Sequence, residues 1–209
     1  MQPSAEVRWF GAEPLPEELR LWFHRQSPMA DENLRTDSYL VLPGSNVVGV
    51  KLREGRLEIK AQREVPREVH YPHGIVGRAD AWIKFSLASP LVPKLETAIV
   101  STGLSLVQVN KRRWLQRYST DTGQPKLIAA SDRPQEGCLC ELTALEVGDR
   151  KFWTLGFEAF GSAEHVDKIL TATASFVFAP EDCPSPLECR MSFPYPAWLL
   201  LLQSSGDRT

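Results

Sequence analysis

The stretch "VVGVKLREGRLEIKAQRE", residues 47–64, decides how this chain is read. Glu54 and Gly55 separate two runs in which apolar and charged residues alternate, which predicts a tight β-hairpin. Side chains of a strand leave on opposite faces with period two. Val48, Val50 and Leu52 therefore share one face, and Gly49, Lys51 and Arg53 the other. In the second strand Leu57, Ile59 and Ala61 oppose Arg56, Glu58, Lys60 and Gln62. A half-buried sheet with its charges in water would satisfy this pattern. So would a sheet rolled until the charged faces line an interior.

Other segments repeat the arrangement. Asp80, Trp82, Lys84 and Ser86 oppose Ala81, Ile83 and Phe85. Within 107–117, Val107, Val109, Lys111, Arg113, Leu115 and Arg117 share a face. Glu141 goes with Leu139 and Thr143, Glu158 with Thr154, Gly156 and Phe160, and Glu6 with Arg8 and Phe10. Basic residues occur on strand after strand while acids stand singly, whereas a solvated surface intersperses the signs. We therefore read the cationic rows as converging on one enclosed cavity.

Further strands are expected in 36–43, 125–131 and 137–161, the last a hairpin turning at Gly148 and Asp149. Residues 16–25 predict a helix through Leu19, Trp22 and Phe23. A second helix is expected in 162–178, with Ser162 as N-cap and Ile169, Ala172, Thr173 and Phe176 as its inner stripe. "LVPKLETAI", 91–99, suits helix or strand. Gly44 and Gly49 fit a turn or a bulge. The class is α+β: a closed or nearly closed antiparallel barrel of about eight strands flanked by a few helices, since a flat sheet of that size leaves two edges to protect.

Composition narrows the function. The chain has 209 residues, 43% hydrophobic and 24% charged, with a formal net charge of -2. That suits a single domain over 1–209, with a Pro-rich tail, 179–209, packing back on it. A near-neutral balance gives no reason to expect nucleic acid or a membrane surface as partner, so any anion site must be local. "MQPSAEVRWF" lacks a secretory signal pattern and "AWLLLLQ" is too short to span a bilayer. Cys138 and Cys140 read as buried thiols, and Cys183 and Cys189 would bridge only in an oxidising compartment; the expected location is a reducing cytoplasm. The four histidines are scattered, no Gly-rich phosphate loop is present, and Ser101 and Ser105 have no base partner.

The order of motifs resembles the CYTH-like superfamily, the triphosphate tunnel proteins. "TDSYL" at 36–40, "VKLRE" at 50–54, "LEIK" at 57–60 and "VNKRRWLQRY" at 109–118 are similar to its successive strand motifs. "CLCELTALEVGDRKFWTLGFEAF" resembles its hairpin ending in a Glu-x-Glu strand, and "FPYPAWLL" at 193–200 its Ser-Tyr-x-x-Leu-Leu segment. The resemblance implies an eight-stranded tunnel whose basic side chains grip a polyphosphate: Lys51, Arg53, Lys60, Lys84, Lys111, Arg113 and Arg117. It also implies Mg²⁺ or Mn²⁺ on Glu6, Glu141 and Glu158, with Glu141 and Glu158 as catalytic candidates, and metal-assisted hydrolysis of a triphosphate or other polyphosphate.

Two departures bear on that activity. The family's first strand reads Glu-x-Glu-x-Lys where this chain has Glu6, Arg8 and Phe10, and its last reads Glu-x-Glu where this chain has Glu158 and Phe160. Two carboxylates of the implied metal cluster are gone. The alternative is therefore a non-catalytic binding protein for a phosphorylated or other anionic small ligand. Trp82, Leu115 and Phe160 on the inner faces would also suit an acidic organic molecule.

Overall fold

A computed structural model describes residues 2–26, 31–180 and 184–204. Among the described residues ten strands run antiparallel: β1 (Gln2–Gly11), β2 (Asp31–Leu40), β3 (Val48–Arg53), β4 (Arg56–Gln62), β5 (Arg67–His70), β6 (Val76–Ala88), β7 (Leu106–Ser119), β8 (Lys126–Ile128), β9 (Gly137–Val147) and β10 (Arg150–Phe160). They are accompanied by the helices α1 (Glu17–Gln26), α2 (Val92–Ser101), α3 (Val166–Phe178) and α4 (Tyr195–Ser204).

Eight of the strands close a barrel in the order β1-β10-β9-β7-β2-β3-β4-β6, and β6 returns to β1 with Ala79 opposite Val7 and Lys84 opposite Gln2. Closure removes the sheet edges that an open sheet would expose. β5 adds to β6, and β8 to β7. Glu54 (φ 49°) and Gly55 (φ 72°) make the β3–β4 turn in the left-handed region that such two-residue hairpins use.

The apolar core lies outside the barrel wall. Ala5, Val7 and Trp9 of β1, Cys138, Cys140 and Leu142 of β9, and Leu155, Phe157 and Ala159 of β10 form one buried cluster with Leu19, Trp22 and Phe23 of α1 and the inner face of α3. Each of these strand residues alternates with one facing inward. Trp9 and Phe157 meet Phe178 of α3 edge-on, while Trp22 stacks on it. α1 carries Glu17 and Glu18 in its first turn and His24 and Arg25 in its last, the arrangement the helix dipole favours.

The tail follows the barrel back. Val76 donates to the Leu187 carbonyl, Phe193 to the Arg8 carbonyl, and Ser192 pairs with Trp9. α4 then lies across one end of the barrel, in a second apolar cluster of Phe10, Tyr39, Phe152, Trp198 and Leu199. Among the described residues no helix is long and apolar enough to cross a membrane.

Several local expectations are corrected. α3 begins at Val166 after a turn, not at a Ser162 cap. Its buried face is Val166, Ile169, Leu170, Thr173, Ala174, Val177 and Phe178, so Ile169 and Thr173 are inward while Ala172 and Phe176 are exposed. Segment 91–99 is largely helix α2. Strand β5 and helix α4 were not foreseen; Pro194 and Pro196 masked α4, although proline in a first helical turn costs no hydrogen bond. Gly49 is neither turn nor bulge: it pairs with Lys60, and a Cβ there would lie 3.2 Å from Pro196 Cγ of α4. Cys138 and Cys140 are buried, and among the described residues neither they nor Cys189 form a disulfide; Cys183 lies outside the described residues.

Candidate functional site

The inward faces enclose a cavity of about 270 Å³. Nine basic side chains line it (Arg8, Arg35, Lys51, Arg53, Lys60, Lys84, Lys111, Arg113 and Arg117) against four acidic ones (Glu6, Glu58, Glu141 and Glu158). All seven residues expected to hold phosphate are thus brought to one cavity, together with the three carboxylates expected to hold metal. Trp82 and Leu115 also line it, whereas Phe160 lies in a separate small pocket with Gln2, Ser4 and Lys84. At the α4 end the lining turns apolar through Val41, Val48, Val50, Pro196 and Leu199.

The charges are organised around a few carboxylate nodes. Glu58 holds Lys51 at 2.8 Å, Arg53 at 3.2 Å and Lys84 at 3.7 Å. Asp37, fully buried beneath the bore, holds Lys111 at 2.9 Å, Arg35 at 3.4 Å and Lys51 at 3.9 Å. Glu141 accepts from Arg8 at 3.0 Å and Arg113 at 3.1 Å. Lys60 bridges Glu6 and Glu158, at 2.9 Å each, and Arg8 Nε donates to Glu6 at 2.8 Å.

Burial raises a carboxyl's pKa and adjacent cations lower it. At Glu6 burial acts first, but Lys60 and Arg8 outweigh it and hold the group at about 2. Glu58 is held at about 2 in the same way, with Lys51 as the leading cation, and Glu141 is depressed by Arg8 and Arg113 against its own burial. Lys111 behaves oppositely. Burial outweighs the attraction of Asp37, Lys51 adds repulsion, and its pKa falls to about 7. Its ammonium donates to Tyr39 Oη at 2.7 Å and sits 4.1 Å from the centre of the Tyr195 ring. Asp80, paired with Glu6 across β1–β6, is pushed up to about 7 by burial and then by the Glu6 charge, and accepts from Gln62 at 2.6 Å.

The net positive bore leaves donors unused. Nε of Arg53 and Nε of Arg113 are buried without a hydrogen-bond partner. Buried donors are normally satisfied, and both side chains belong to the cavity wall.

The three carboxylates expected to hold a metal do not form a vacant donor set. Lys60 stands between Glu6 and Glu158, and the Arg8 guanidinium stands between Glu6 and Glu141. Among the described residues no group of three or more His, Cys, Asp or Glu side chains is placed to hold a metal ion. The residues present therefore do not fit Mg²⁺ or Mn²⁺ as a protein-held ion.

Sequence reasoning placed Glu58 and Asp80 on the charged faces without giving them a role, and passed over Arg35, Asp37 and Tyr195 as members of this network. For Arg35 and Asp37 the signal existed: period-two alternation from Tyr39 back along β2 places all three on one face. Glu58 shares the Lys60 face of the opening hairpin. For Tyr195 the only signal was the resemblance of segment 193–200, since no strand periodicity places a residue that reaches the bore from α4 by tertiary packing.

Fold and bore together define a class, a closed eight-stranded antiparallel tunnel barrel with a cation-rich interior. This is the architecture that the CYTH-like resemblance implied. No protein-family model matches the chain, and no curated protein matches it. Among solved structures the chain is similar to the PH1819 protein of Pyrococcus horikoshii, with TM-score 0.51 and 14% identity over 96% of this chain and 99% of that one. It is also similar to a conserved hypothetical protein of Pyrococcus furiosus, with TM-score 0.46 and 12% identity over 88% and 95% of the two chains. A third match is a putative adenylyl cyclase from Hippeastrum, described as having a dominant triphosphatase activity, with TM-score 0.43 and 10% identity over 86% and 89%. At 14% identity the likeness to PH1819 concerns the fold alone.

Proposed function

We propose that the barrel captures a polyphosphate-class anion in its bore. The observation that carries this reading is the excess of nine basic over four acidic side chains around one enclosed cavity, with the buried Nε donors of Arg53 and Arg113 lacking a hydrogen-bond partner. Clustered cations repel one another and are costly to desolvate, and a ligand carrying several negative charges on one short chain relieves both. Arg53 and Arg113 suit bidentate phosphate contacts, and Lys51, Lys60, Lys84 and Lys111 act as point charges. The apolar end near Leu199 limits how far a fully charged chain can extend.

Titration calorimetry with tripolyphosphate tests the reading. Wild-type protein is expected to bind, and Arg113→Ala to bind about tenfold or more weakly, since a charge-assisted hydrogen bond contributes about 1.5–3 kcal/mol. Equal heats from the two proteins, or none from wild type, would count against it.

A second reading, hydrolysis of a phosphoanhydride of the bound ligand, is favoured by Glu158. Its side chain is 27% exposed and bonds only Lys60 within the charge network, whereas Glu141 is 12% exposed and fastened by two arginines. Glu158 is thus the carboxylate able to orient a water toward the ligand, and Glu141 an anchor for Arg8 and Arg113. Phosphate release from tripolyphosphate that disappears in Glu158→Gln supports turnover; binding without release leaves a receptor.

A further inference from the structure

We propose that Arg8 takes the place of a divalent cation in this barrel: its guanidinium and the Lys60 ammonium supply the positive charge that the carboxylates Glu6, Glu141 and Glu158 require, so that the bore receives its anion without a metal ion. The ligand half of this inference rests on the function proposed above; the part concerning Arg8 does not.

The geometry is specific. Arg8 sits centrally on β1 and is 5% exposed. Nε donates to Glu6 at 2.8 Å, and Nη1 to Glu141 at 3.0 Å and to Thr154 Oγ1 at 3.1 Å. Its cationic carbon lies 5.2 Å from the centre of the Tyr195 ring, so an aromatic face contributes from α4. The barrel is shaped around it. Gly156 is the cross-strand partner of Arg8, and a Cβ there would lie 2.7 Å from the Arg8 Cζ and 3.0 Å from Nε. The absence of a side chain at 156 makes the guanidinium's room.

A metal ion between Glu6 and Glu141 would have to expel this guanidinium, forfeiting its charge-assisted hydrogen bonds in a buried site. One between Glu6 and Glu158 would have to expel Lys60. Mg²⁺ also demands near-octahedral oxygen ligation, and a doubly charged ion beside Arg8 and Lys60 meets strong repulsion. A tethered cation differs from a metal in consequence: it cannot dissociate, and it is indifferent to chelators. Metal complexation also removes negative charge from a polyphosphate, so the free anion is the better match to the bore.

Manganese EPR on the intact chain decides the matter without any phosphate ligand. Wild-type protein should leave the free Mn²⁺ signal undiminished up to about millimolar metal, while Arg8→Glu, with a third carboxylate in place of the cation, should bind about one equivalent at least tenfold more tightly. One equivalent bound by wild type below about 0.1 mM overturns the proposal. Should Arg8→Glu not fold, calorimetry of wild type with tripolyphosphate in EDTA and in Mg²⁺ gives an independent answer. Affinity should be equal or weaker with Mg²⁺, and a tenfold or greater strengthening overturns the proposal. If tripolyphosphate fails to bind under either condition, the proposed function falls, and the manganese titration of wild type still decides the role of Arg8.

Discussion

Lys111 makes the stability of the empty barrel depend on pH in a direction that can be worked out in advance. Asp37, Arg35 and Tyr39 face it from β2, Lys51 from β3, Glu141 from β9 and Tyr195 from α4. Burial is the largest influence and the pKa lies at about 7. In the unfolded chain a lysine titrates near 10.4. Between those values the unfolded state binds the extra proton, so stability rises with pH. Below pH 7 this group's unfavourable contribution is constant; it is progressively relieved as pH climbs toward 10. Integrated from pH 7 to pH 9, the gain is about 2 kcal/mol. The assay is urea denaturation of wild type and Lys111→Met at pH 7, 8 and 9. Methionine fills similar space without titrating, and Asp37 keeps Arg35 at 3.4 Å and Lys51 at 3.9 Å. The stability difference, wild type minus variant, should therefore grow by about 2 kcal/mol over the range. Parallel profiles for the two proteins would refute the argument, because they would mean that Lys111 is charged throughout.

Asp80 has the opposite consequence. Its folded-state pKa of about 7 lies above the ordinary carboxyl value, so its contribution is fully present below about pH 4, is lost as pH rises toward 7 and stays lost above that. Asp80→Asn, which can still accept the Gln62 hydrogen bond, should be stabilised relative to wild type by more at pH 7 than at pH 5; thermal melts at both values read this directly. Gly156→Ala should displace Arg8, because the new methyl would lie 2.7 Å from the guanidinium carbon. Overpacking of this kind costs about 1–3 kcal/mol, measurable by denaturant titration, whereas a wild-type midpoint would show that Arg8 has room to move.

Much of the bore was legible because a period-two pattern is a local property. Lys51 and Arg53, Glu58 and Lys60, and Lys111, Arg113 and Arg117 had to leave their strands on shared faces whatever the rest of the chain did. The same rule could have added Arg35 and Asp37 through Tyr39. Helical stripes were less secure: α3 is capped at His165, and its buried stripe is centred on Leu170, Thr173, Ala174 and Val177, which leaves Ala172 and Phe176 outward. α4 was hidden by its prolines, and with it Tyr195, the residue that brings an aromatic face to both Arg8 and Lys111.

By itself the sequence determined which side chains keep company on each strand, and that one face of nearly every strand is charged. It could not determine which face is inside. That was decided by closure of β6 onto β1 and by α1, α3 and the returning tail, which cover the aliphatic faces of β1, β9 and β10 from without. The role of Arg8 was decided there too. In the sequence it is a missing carboxylate; in the barrel it meets Glu141 from 133 residues away, above a glycine that leaves it space. Alternation is written into neighbouring residues, but the compensation of a buried charge depends on partners that only the closed barrel brings within reach.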